Sequence, residues 1–149
     1  MTEFTTSIDI AAPPERVWQV MSDTDHWFEW TPSITSVKRL DDAPFAVGTK
    51  VLIRQPKLPP AKWTVTAIEP DRTFTWVSTA PGFKAVGEHS VKPTPTGSRA
   101  TLSLQLHGLL GEAFGRLTKD ITERYVAFEA NGLKARSENP GFRHGDERR

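Results

Sequence analysis

Between residues 34 and 107 the chain breaks into six short runs of alternating apolar and polar residues, 34–40, 47–55, 62–69, 72–79, 83–92 and 98–107. Every gap between them carries turn chemistry: Asp41-Asp42-Ala43-Pro44, the Pro56–Pro60 segment, Pro70-Asp71, Pro81-Gly82 and Pro93–Gly97. Runs of this length and spacing predict an antiparallel meander of six strands.

The segments flanking the meander differ from it. Residues 3–11 alternate Phe4, Ile8 and Ile10 with Thr5, Ser7 and Asp9, which predicts a first strand. Pro13-Pro14-Glu15 then opens a helix over about 13–21, with prolines where a first turn tolerates a missing N–H and Val17, Trp18 and Met21 turned inward. Asp23-Thr24 caps a second short helix carrying Trp27 and Trp30, ended by Pro32. After the meander, Leu110, Phe114, Leu117, Ile121, Tyr125 and Phe128 are spaced 4, 3, 4, 4 and 3. At about 100° per residue they fall within an arc of roughly 80°. Glu112, Arg116, Lys119 and Glu123 lie opposite. The expectation is one amphipathic helix over 109–136, with Asn131-Gly132 as an early stop signal. Residues 138–149 are polar, contain Pro140, Gly141 and Gly145, and show no apolar period, so they are expected as a disordered tail after a single domain spanning 1–137.

A twisted antiparallel sheet has one apolar concave face to cover, and the terminal helix is the only element large enough to cover it. A helix about 10 Å wide does not fill such a concavity at both ends, so an enclosed cavity between sheet and helix is expected. The fold class is therefore α+β: a curved sheet of about seven strands around a long C-terminal helix, with two short helices after strand one.

Composition narrows the function. The 149 residues contain no cysteine, which excludes thiol nucleophiles, thiolate zinc sites and disulfide scaffolds. Nineteen Lys and Arg against eighteen Asp and Glu, spread along the chain, give +1, no electrostatic footprint for nucleic acid. No apolar run approaches the about 20 residues of a membrane span, and Glu3, Asp9, Glu15, Asp23, Asp25 and Glu29 mark no signal peptide, so a cytoplasmic location is expected. His26, His89, His107 and His144 lack ligand spacing, and phosphate loops and dinucleotide fingerprints are absent. No metal or cofactor is implied. Oligomeric state is left open.

Several segments, in order and spacing, resemble one known family: Pro13-Pro14-Glu15-Arg16-Val17-Trp18, Trp27-Phe28-Glu29-Trp30-Thr31-Pro32, Val47-Gly48-Thr49, Trp63-Thr64-Val65, Phe74-Thr75-Trp76, Gly87-Glu88-His89, and Arg124-Tyr125 to Gly132-Leu133-Lys134. They are similar to the polyketide cyclase/dehydrase and lipid-transport family of the START-like, SRPBCC superfamily. The resemblance covers about residues 3–136. It implies a helix-grip fold, and among activities it spans cyclases, hydroxylase subunits, hormone receptors and lipid carriers.

Candidate site residues are those that alternation turns inward. On 83–92 these are Phe83, Ala85, Gly87, His89 and Val91; on the neighbouring strands they are Trp63, Val65 and Ala67, then Phe74, Trp76 and Ser78, then Leu102, Leu104 and Leu106. His89 reads as a proton donor or acceptor or a polar anchor in an apolar pocket, and equally as a structural histidine satisfied by its neighbours. Trp27, Trp30, Trp63 and Trp76 read as cavity walls or as core. Leu104, Phe114, Leu117, Ile121 and Tyr125 complete the expected ligand-binding set, and Gln55 to Pro60 a stiff flap at one end. Glu29 is the nearest partner acid for His89. Without a clear acid/base pair, binding of a small hydrophobic or aromatic ligand is favoured over turnover; the alternatives are a cyclase or dehydratase using His89, and an interaction protein with a collapsed cavity.

Overall fold

A computed structural model describes residues 1–145; the part of the expected tail at 146–149 lies outside the described residues. The elements in chain order are β1 (Thr2–Ile10), α1 (Pro14–Ser22), a 3₁₀ helix (Thr24–Glu29), β2 (Ser36–Arg39), β3 (Lys50–Arg54), β4 (Ala61–Glu69), β5 (Thr73–Ala80), β6 (Phe83–Thr94), β7 (Gly97–His107), α2 (Leu109–Leu117) and α3 (Lys119–Glu138). The seven strands form one antiparallel sheet in the order β1-β7-β6-β5-β4-β3-β2. Consecutive hairpins build β2 to β7, and β1 returns beside β7, so the first and last strands sit together under α3.

The expected strands form because their alternation buries one face, as β5 shows with Phe74, Trp76 and Ser78 buried in turn. On β4 the alternation fails. Val65 pairs with Trp76 and Ala67 with Thr75, so Thr66 is an extra, bulged residue. The bulge turns Ala67 out to solvent and brings Ile68 against the core, which corrects the inward placement of Ala67.

The C-terminal helix is long, but it does not run unbroken from 109. Thr118 (φ −111°, ψ 17°) divides the span into α2 and α3. Its hydroxyl donates to the Phe114 carbonyl at 2.6 Å, and the Thr122 hydroxyl donates to Thr118 Oγ1 at 3.1 Å; side chains that bond the local backbone in this way compete with helical continuity. The break turns the inward face by about one residue, roughly 100°. On α3 the buried positions become Thr122, Tyr125, Ala130 and Leu133, while Ile121 and Phe128 are half-buried beside them. Asn131-Gly132 does not stop the helix. Gly132 lies against Trp30, and a Cβ there would stand 2.1 Å from the Trp30 carbonyl oxygen.

The chain does not fray directly after α3. Phe142 packs on the main core cluster, and Arg136 donates to its carbonyl at 2.7 Å. The His144 N–H donates to the Glu29 carbonyl at 2.9 Å. Residues 139–145 thus fold back over the 3₁₀ helix.

Candidate functional site

Between the inner sheet face and the two C-terminal helices lies a cavity of about 770 Å³. β4 to β7 form its floor, α2 and α3 its roof, and Gln55, Leu58, Pro59 and Pro60 close one end. It is half-open rather than enclosed. Leu110 and Leu117 line it yet are 59% and 87% exposed, which places them at the mouth.

Of the ten candidate ligand-binding residues, the cavity wall includes Trp27, Trp63, Trp76, His89, Leu104, Phe114, Leu117 and Tyr125. Trp30 and Ile121 are elsewhere. Trp30 is buried against the α3 backbone at Gly132, and the helix break rotates Ile121 away. The aromatic walls pack on one another: Trp27 and Trp76 have ring centroids 5.3 Å apart, Trp63 and Trp76 5.6 Å. Gly87 makes room for this wall, since a Cβ there would meet Trp76 Nε1 at 2.7 Å. The Trp27 N–H is satisfied by the Met21 carbonyl at 3.0 Å. The proline flap is tied across the cavity by the Tyr125 hydroxyl, which donates to the Pro56 carbonyl.

His89 is 5% exposed. Its ring stacks on Phe74 with centroids 4.1 Å apart and an 11° interplanar angle, edge-on to Trp27 and Trp76. Nδ1–H donates to the Phe74 carbonyl at 3.3 Å, which leaves Nε2 as the unprotonated nitrogen, with no hydrogen-bond partner among the described residues. Burial pushes its pKa down to about 4, against the smaller opposing effect of that carbonyl. At neutral pH the imidazole is therefore uncharged, an acceptor rather than a cation.

Glu29 is not its partner. Arg136 donates to Glu29 Oε1 at 2.5 Å and Arg143 lies 3.3 Å from Oε2, so Glu29 serves the fold just beneath the surface. The Arg136 hydrogen bond first, then the charges of Arg136 and Arg143, hold its carboxyl below the usual range.

Besides His89, one cavity-lining group has a strongly shifted pKa: Glu129, which by sequence alone is one more charge on a helix. It stands four residues after Tyr125, on the face the break at Thr118 turns inward. It is half-buried and lines the cavity. Desolvation alone pushes its pKa up to about 8. Among the described residues no ion pair or side-chain hydrogen bond reaches it, so the carboxyl is mainly protonated at neutral pH.

A curved antiparallel sheet gripping a long C-terminal helix, with two short helices after the first strand, defines a helix-grip protein. The chain matches, over residues 1–138, the family described as polyketide cyclase / dehydrase and lipid transport, and it belongs to that family. Among solved structures it is similar to the protein TTHA0849 from Thermus thermophilus, at 18% identity and TM-score 0.75, covering 95% of this chain and 100% of that one. It is also similar to the Zhui aromatase/cyclase from a Streptomyces species, at 17% identity and TM-score 0.75, covering 97% and 98%. A norcoclaurine synthase from Thalictrum flavum matches at 15% identity and TM-score 0.71, covering 91% and 93%. At such identities the likeness is one of fold. Among curated proteins none matches the chain in sequence. Among the described residues no helix is long and apolar enough to cross a membrane.

Proposed function

We propose that the protein binds one small, largely apolar or aromatic molecule in the cavity between sheet and C-terminal helices. The observation that carries this reading is the cavity itself, at about 770 Å³ and walled by Trp27, Trp63 and Trp76. Pockets of roughly 300–1,000 Å³ bury most of a drug-sized ligand. The test is a titration with N-phenyl-1-naphthylamine, read by probe fluorescence and by quenching of the tryptophans. Saturation at one probe per chain is expected, and its loss in a cavity-filled Leu104→Trp variant that melts like the parent. Undiminished binding in that variant would move the site elsewhere.

A second reading, a cyclase or dehydratase, is favoured by one specific feature. His89 presents a buried, uncharged imidazole with Nε2 free on the wall of an apolar cavity. In this reading His89 takes a proton from carbon beside a ligand carbonyl. His89→Gln would then leave binding intact and lower turnover of a cyclisable substrate by about 10²–10⁴-fold. If the histidine only orients a ligand, the same change weakens binding by about one neutral hydrogen bond, ~0.5–1.5 kcal/mol.

A further inference from the structure

Resting on the cavity-binding reading, we propose that the ligand carries a protonatable amine, and that Glu129 with the surrounding aromatic rings selects that amine over neutral and anionic molecules of the same skeleton. Three observations point this way. Glu129 lines the cavity and, among the described residues, no basic group neutralises it. The titratable side chains around the same cavity are Lys62 on β4, His89 on β6 and Tyr125 on α3. Lys62 is exposed, His89 is uncharged, and the Tyr125 hydroxyl is committed to Pro56. Among the described residues the interior therefore offers a carboxyl and no cation, which suits a positive group and disfavours a carboxylate.

The walls agree. Trp63, Trp76, Phe83 and Phe114 present ring faces or edges to the same space, and the face of an aromatic ring attracts a desolvated cation. A hydrogen bond to a neutral acceptor would be served as well by glutamine. What a carboxyl adds is the capacity to become negative, at the cost of resting unpaired and protonated in an apolar site. When an ammonium group enters, the carboxyl proton leaves to solvent and a charge-assisted N–H···O bond forms between two opposite charges.

The experiment compares 2-(1-naphthyl)ethylamine, 2-(1-naphthyl)ethanol and 1-naphthylacetate by calorimetry at pH 7 on the intact chain and on Glu129→Gln. The intact protein is expected to bind the amine about tenfold or more tightly than the alcohol, the equivalent of one charge-assisted hydrogen bond, and the carboxylate most weakly. In Glu129→Gln the amine's advantage over the alcohol should fall to the few-fold that the ring faces alone supply, with the alcohol within about threefold of its original affinity, as neutral for neutral exchange predicts. A second readout needs no variant. Amine binding at pH 7 should release close to one proton per site, seen as a dependence of the heat on buffer ionisation enthalpy, while alcohol binding releases none. Equal affinity for amine and alcohol in the intact protein, an amine preference that survives Glu129→Gln undiminished, or amine binding without proton release would each overturn the amine assignment and leave cavity binding standing. If no probe of the three saturates, cavity binding fails and the amine assignment with it.

Discussion

Trp30 and Gly132 meet so closely that the Trp30 carbonyl oxygen lies 2.1 Å from where a β-carbon on residue 132 would be. Asn131-Gly132 therefore sits inside a continuous helix as the slot into which the residue ending the 3₁₀ helix is pressed. Gly132→Ala is expected to destabilise the protein even though alanine is favoured over glycine by about 1 kcal/mol in a helix interior. The obstructing atom is backbone, so the net loss should be about 1–3 kcal/mol, the range for overpacking. Urea denaturation checks it; a more stable variant would show that Trp30 can move.

Residues 139–145 are expected to contribute stability. Ending the chain at residue 138 removes Phe142 from the core and Arg143 from Glu29. A loss of about 1–2 kcal/mol, or roughly 2–8 °C in melting temperature for a chain of this size, is expected. An unchanged melting curve would mean that the fold-back contacts are not held in solution.

Glu29→Gln should lower stability at neutral pH by about 1.5–3 kcal/mol, the range for a hydrogen bond to a charged partner. The folded carboxyl lies below its ordinary 4.5, so its contribution is present above that value and is lost as pH falls through the folded pKa. Parent and variant stabilities are thus expected to converge in acid, a convergence measurable in urea at pH 3 and 7.

His89 and Glu129 give the stability profile two opposed slopes. His89 falls from an ordinary 6.5 to about 4 on folding. Over that window the unfolded chain binds more protons, so stability rises with pH. Glu129 rises from 4.5 to about 8, so over that window the folded chain binds more protons and stability falls with pH. The two offset one another between 4.5 and 6.5. Each single variant should uncover the other group's slope, of up to about 1.4 kcal/mol per pH unit: His89→Gln declining from 4.5 to 8, Glu129→Gln rising from 4 to 6.5. Glu129→Gln should also be the more stable protein at pH 8. Superimposable profiles for parent and both variants would refute the burial assigned to these groups.

Much of the fold was legible in the sequence because strands and hairpins are local: alternation and Pro, Gly and Asp turns lie within a few residues of each other. His89 was placed correctly by the alternation of β6 alone, which sets it with Ala85, Gly87 and Val91 on the inner face. What escaped was phase. Thr66 and Thr118 each shift the register of the residues after them, and neither is a proline or glycine. A one-residue shift in a helix exchanges Ile121 and Phe128 for Thr122 and Glu129 at the cavity. The signal that could have found Glu129 was its spacing of four from Tyr125 and four to Leu133, which continues an inward stripe once the 109–117 segment is set aside. Trp30 escaped for another reason: its partner, Gly132, is a hundred residues away and has no side chain to announce the contact.

The break at Thr118 also separates two kinds of inheritance. α2 exposes Leu110 and Leu117 at the opening while Gly111, Phe114 and Gly115 pack towards β7, and α3 holds β1, β7 and α1. Because the helical phase restarts after Thr118, exchanges at the exposed Leu110 and Leu117 can reshape the rim without rotating the α3 residues that clasp the sheet. The rim and the grip are thus separable in the sequence, two exposed leucines on one side of Thr118 and the sheet-facing stripe on the other.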